Sequence, residues 1–147
     1  MIFFRKKMDP EVEDLLRALE EHVRNLMNSY YLEKVQVKRE KNTIEALAST
    51  GESVVSLGKQ GEKFDLKAFR DELVEGIESL LQSMGWSLEE SLKDNVKLMS
   101  EAGIKAVGAR DMGGGKVKIT SPSGKQHMLE INLLDLKIKI GLKIIVK

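Results

Sequence analysis

The chain contains no cysteine, and that one absence closes several chemistries at once. Disulfides, thiolate nucleophiles and every cysteine-bearing zinc site are excluded, and with them the disulfide-stapled secreted scaffolds. Histidine is nearly absent too: His22 and His127 are the only two, and neither has a second histidine at helical spacing. Aromatic residues make up 5% of the 147 positions, so aliphatic side chains must fill most of the core. Positions 104–147 hold no Phe, Tyr or Trp. No apolar run approaches the roughly 20 residues that span a bilayer. The opening Met1-Ile-Phe-Phe is followed by Arg5, Lys6 and Lys7. That apolar stretch is too short for a signal-peptide core, and one short cationic tag gives only marginal contact with an anionic membrane surface. A frayed end or a docking strand is the simpler expectation for it.

What is present suits a water-soluble domain: 41% apolar and 32% charged residues, with a net charge of +1. A single domain over 1–147 is expected, placed in the cytoplasm. The small net charge hides an asymmetry. From Lys105 onward there are nine Lys/Arg against three Asp/Glu, whereas the residues before it carry 15 against 20. Such a split fits an anion-binding surface, fits two parts that attract each other between copies, and fits equally a chain that binds nothing through it.

Asp9-Pro10 is a strong helix start, because Asp caps free amides and Pro at the first helical position loses no needed hydrogen bond. Val12, Leu15, Leu16, Leu19, Val23, Leu26, Met27 and Tyr30 then form one apolar stripe on a helix placed at 8–31. Val35 and Val37 switch to strand alternation, Lys41-Asn42 offers a turn, and Ile44, Ala46 and Ala48 continue the two-residue period. Ser53 to Leu57 offers a third strand before a Gly/Lys-rich loop. Asp65 caps a second helix carrying Leu66, Phe69, Leu73, Ile77, Leu80, Leu81 and Met84, and Gly85 stops it. Trp86 then packs back on the last turn. Ser87 and Glu90 have capping-box spacing, which predicts a third helix ending at Gly103 and hence a helical pair over 65–102.

The remainder, 104–147, reads as a basic β-meander. Ile104–Val107 is a short strand, Val117 and Ile119 flank Lys118, and Ser121-Pro-Ser-Gly124 is a turn. Leu129, Ile131 and Leu133 share one side of the next strand. Leu136, Ile138, Ile140, Leu142 and Ile144 predict one long final strand, with Gly141 as a bend or bulge. The fold class is therefore α+β, an antiparallel sheet with helices packed on one face, in the order α-ββ(β)-αα-β-βββ. That order is compatible with profilin-like sensor and adaptor folds, an analogy of element order with no motif behind it.

The motif that invites a chemical reading is Ala109-Arg-Asp-Met-Gly-Gly-Gly-Lys116. A phosphate-binding P-loop ending at Gly115-Lys116 needs glycine where Arg110 stands and a hydroxyl where Val117 stands; it also needs a helix to follow, not a strand. The dinucleotide pattern fails at Lys118. Asp111 and His127 would make an acid–base pair if their strands met, but no nucleophile accompanies them. No catalytic, cofactor or metal residues are assigned, and an enzyme is the least supported reading. The candidate site is a row of lysines, Lys116, Lys118, Lys125, Lys137, Lys139 and Lys143, suited to anions or nucleic acid. Without aromatic platforms such a row binds single strands weakly, and lysines equally keep a sheet soluble. The leading expectation is a non-catalytic protein-interaction or regulatory module that self-associates or binds a protein partner. Weak, sequence-independent nucleic-acid binding and a sensor for an apolar small molecule are the alternatives.

Overall fold

A computed structural model describes residues 8–50, 64–96, 98–100, 115–136 and 138–147. Helix α1 (Pro10–Ser29) starts where the cap chemistry requires, with the Asp9 carboxylate accepting from the Glu11 amide at 2.9 Å. Its entire apolar stripe is buried. The chain then forms the hairpin β1 (Glu33–Glu40) and β2 (Thr43–Ser49). Helix α2 (Leu66–Ser83) is capped by Asp65, which accepts from the Lys67 amide at 2.9 Å. Gly85 ends the helix in the left-handed region, φ +83°. Trp86 follows, its amide bonded to the Leu81 carbonyl at 2.9 Å and its side chain buried.

The next segment departs from expectation. Ser87–Leu88 is a short strand, β3, and only Leu92–Asn95 is helical (α3). Leu98–Ser100 forms strand β4. The capping-box spacing at Ser87 and Glu90 is overridden by sheet pairing: Ser87 and Leu88 sit opposite Thr120 and Ile119, and the Glu89 amide bonds the Lys118 carbonyl at 3.0 Å. Helix α3 starts instead at Leu92, whose amide is taken by the Glu78 carboxylate of α2 at 2.7 Å. The expected long third helix is thus replaced by two strands and one helical turn.

Strands β5 (Gly115–Thr120), β6 (Gln126–Leu136) and β7 (Lys139–Val146) complete the sheet, with the predicted turn at Ser121–Gly124 joining the first two. The strand order is β1-β2-β7-β6-β5-β3, every neighbour antiparallel, while β4 lies parallel to β6 beside its second half. The chain's last strand therefore lies at the centre of the sheet, between β2 and β6. The single long strand expected from Leu136 to Ile144 is in fact the end of β6 and the start of β7, joined across residues 137 and 138, with Leu136 opposite Lys139. Period two persists on both sides of the break between the two strands, so the alternation alone cannot reveal it. The expected bulge at Gly141 is absent: pairing to β2 and to β6 runs through it without a shift. The expected strands at Ser53–Leu57 and Ile104–Val107, the glycines before Gly115, and Met1–Lys7 lie outside the described residues.

Helices α1 and α2 cover one face of the sheet. Ile44, Leu142, Ile144, Leu129, Ile131 and Ile119 point into that layer and join the helical stripes in one core. Tyr30, Phe64 and Phe69 meet at one end, with ring centroids 5.3–5.8 Å apart. Burial there, aided by Glu72, pushes the pKa of the Tyr30 hydroxyl up to about 12. On the other side of the sheet, no helix is packed among the described residues. No helix is long and apolar enough to cross a membrane among those residues either.

Candidate interaction face

The helix-free face is built by the alternate residues of each strand, and the pairing registers give its rows. One row runs Lys38, Glu45, Lys143, Asn132 across β1, β2, β7 and β6. The next runs Gln36, Leu47, Gly141, Leu134. A third places Thr43, Ile145, Glu130 and Lys116 in line. Leu47, Leu134, Leu136 and Gly141 line a shallow groove of about 360 Å³, edged by Lys38, Glu45 and Lys143. Leu47 stands out from its rim, 37% exposed.

The candidate lysines do not form an uninterrupted positive row. Lys116 lies 3.5 Å from the Glu130 carboxylate, which also accepts from Lys147 at 3.0 Å. Burial alone would push the Glu130 carboxyl up, but the ammonium groups of Lys147 and Lys116 outweigh it and hold it below the usual carboxylate range. Lys143 faces Glu45 at 3.7 Å. Lys125 sits in the β5–β6 turn, not on this face, and donates to the Asp9 cap of α1 at 2.7 Å. That contact raises the Lys125 pKa and lowers the Asp9 pKa. Lys118 and Lys139 are exposed and carry no ion pair among the described residues, and Lys137 lies outside them. The structure thus brings Lys116, Lys118, Lys139 and Lys143 to one face, interleaves two of them with carboxylates, and sends Lys125 elsewhere.

Among the described residues, neither histidine belongs to a reactive constellation. His127 lies beside Trp86, ring centroids 5.6 Å apart, with its Nδ1 3.3 Å from the Lys147 carbonyl oxygen. Asp111, its expected partner, lies outside the described residues. His22 is wedged between the helices over Gly76 of α2, and the Nε2 of each histidine is buried without a hydrogen-bond partner. Burial pushes the His22 pKa down, and a bond to the Leu73 backbone opposes that only in part. Among the described residues no three His, Asp or Glu side chains gather to hold a metal ion.

Of the six lysines singled out from the sequence, Lys116, Lys118, Lys139 and Lys143 share this face, and the groove between them was missed. The signal was present at Leu47, an apolar residue out of phase with Ile44, Ala46 and Ala48, and at Leu134, which breaks the alternation of Ile131 and Leu133. Comparison with known proteins gives no further guidance: no family model, no curated protein and no solved structure matches the chain.

Proposed function

We propose that this chain is a non-catalytic protein-interaction or regulatory module that binds another polypeptide through the helix-free face of its sheet. One observation carries the reading: the apolar groove at Leu47, Leu134, Leu136 and Gly141 is bordered by the polar side chains of Gln36, Lys38, Glu45, Lys143 and Asn132. Apolar centres inside polar rims are the ordinary anatomy of protein interfaces. A photo-crosslinking amino acid at Leu47 tests it. The expected result is a polypeptide adduct in cells, self or foreign, that the same probe at Asp14 on α1 does not give. Equal yields at the two positions would sink the reading.

Nucleic-acid binding through the lysines is supported less well. Glu130 and Glu45 already compensate Lys116 and Lys143, and no aromatic ring lines the groove for base stacking. A salt titration with labelled single-stranded and duplex oligonucleotides decides this alternative. It requires affinity at low ionic strength that falls steeply as salt rises. The groove lies on the opposite side of the sheet from α1 and α2, which is not where a sensor for an apolar small molecule would hold its ligand between the layers.

A further inference from the structure

Gly141 is a glycine that the fold itself does not require. It lies in the middle of β7, where glycine weakens a strand relative to a residue with a side chain. Its backbone does not demand it, since φ is positive only at Gly85 and Gly124 among the described glycines. Its neighbours do not demand it either. A Cβ placed on Gly141 would meet Leu136 Cδ1 at 3.7 Å and Leu134 Cβ and Cδ1 at 3.8 Å, which are ordinary contacts. Gly115 and Gly76 differ, because a Cβ there would run into the Asn95 carbonyl and the His22 ring. Gly141 is itself buried, with the Leu134 and Leu136 side chains packed beside it, so it forms the floor of the groove on the outer face, and the residue directly opposite it across the strand pair is the exposed Leu47.

A knob and a groove floor side by side on neighbouring strands are self-complementary. Consider a two-fold axis parallel to the strands and midway between β2 and β7. Turning one copy over onto another about that axis lays β2 of each on β7 of the other. Leu47 then enters the groove over the partner's Gly141, and the partner's Leu47 enters the groove over Gly141. The adjoining row matches in charge: Glu45 faces the partner's Lys143, and Lys143 faces the partner's Glu45. One strand further out, Gln36 lies over the partner's Leu134 and Lys38 over the partner's Asn132. Sheets stacked face to face cross at about 30°, so the match is tightest nearest the axis, where the Leu47 and Glu45 rows lie.

From this shape and charge pattern we infer that the chain forms a two-fold dimer through the helix-free faces of its sheet, with Leu47 seated over Gly141 in both directions. The inference rests on the interaction reading above and names its partner as a second copy. Four strands spaced about 4.8 Å apart and about seven residues long offer roughly 450 Å² of sheet per copy. That lies below the roughly 800 Å² per partner of a standard stable interface, so the dimer dissociates on dilution.

Sedimentation velocity across a dilution series tests the inference. The wild-type protein is expected to pass from dimer to monomer as it is diluted. Gly141→Val raises the floor of the groove and is expected to remain monomeric at every concentration, while Gly141→Ala, whose Cβ makes only ordinary contacts, is expected to melt no lower than wild type. Glu45→Lys and Lys143→Glu are each expected to weaken the dimer at least tenfold by setting like charges across the axis, and the double exchange to restore it. A wild-type protein that is monomeric throughout, a Gly141→Val protein that dimerises as tightly as wild type, or a double exchange that fails to restore association would overturn the proposal. A monomeric wild type that still crosslinks a foreign protein from position 47 would end the dimer and leave the interaction reading standing. Absence of both would end the two together.

Discussion

Replacing Gly76 by alanine tests how α1 and α2 are held together. At an unencumbered helix interior the change stabilises by about 1 kcal/mol, because alanine is the better helix former. At position 76 the new Cβ runs into the His22 ring on α1, whose Nε2 is buried between the helices. Overpacking of this kind costs about 1–3 kcal/mol. Taking the middle of that range against the propensity gain leaves a net loss of about 1 kcal/mol, or a melting point lower by about 3–5 °C in a chain this size. The cycle with His22→Ala isolates the contact. Without the ring, Gly76→Ala is expected to stabilise by about 1 kcal/mol, which makes the coupling about 2 kcal/mol. Urea unfolding of the four proteins measures it. Equal stabilisation of the wild-type and His22→Ala backgrounds would show that the helices do not close on this ring. The same burial sets a pH dependence, because it lowers the His22 pKa below its ordinary 6.5. The folded protein binds this proton less readily than the unfolded chain. His22's share of stability is therefore complete above pH 6.5 and is lost as pH falls through the lower folded value. His22→Ala is expected to flatten that slope.

Three further outcomes follow from the described contacts. Glu130 has a lowered pKa, so its contribution is complete above the ordinary glutamate value of 4.5 and is lost as pH falls through the folded one; Glu130→Gln should remove that acid limb. Because Lys116 and Lys147 are 70% and 58% exposed, the same substitution should cost only up to about 1 kcal/mol at neutral pH, read by urea midpoint. Asp65→Ala removes the cap of α2 and should cost about 1 kcal/mol, again read by urea unfolding; no loss would mean that the Lys67 and Ala68 amides find other acceptors. Leu73→Ala, at a fully buried position facing the core, should cost about 2–5 kcal/mol in the same assay.

The helices were legible because their signals are local. Asp9 and Asp65 cap amides two or three residues away, and the stripes from Val12 to Tyr30 and from Phe69 to Leu81 repeat with the helical period. The sheet was legible in composition and much less so in connection. No turn-forming residue stands at 137 or 138, so two strands of equal period read as one. Ser87 and Glu90 have the spacing of a helix cap, but β5 is brought beside them from more than thirty residues away, and strand pairing wins. The same long-range logic hid the face. Glu45 and Lys143 are nearly a hundred positions apart in sequence, and only the insertion of β7 between β2 and β6 sets them side by side.

That insertion also changes how the lysines and glycines of this chain are to be read. As a sequence, Lys116, Lys118, Lys139 and Lys143 suggest one positive row, yet β2 and β6 bring Glu45 and Glu130 into the same surface, and the positive field is broken at Lys116 and Lys143. The glycine run that ends at Gly115, just ahead of Lys116, invites a phosphate template that its neighbours do not satisfy, whereas the isolated Gly141 matches no motif at all. A glycine that sterics explain, such as Gly76 under His22, says only that two elements come close. Gly141, which neither backbone angle nor crowding requires, lies buried on the floor of the groove beside Leu134 and Leu136 and opposite Leu47, and that is the position on which the proposed dimer turns.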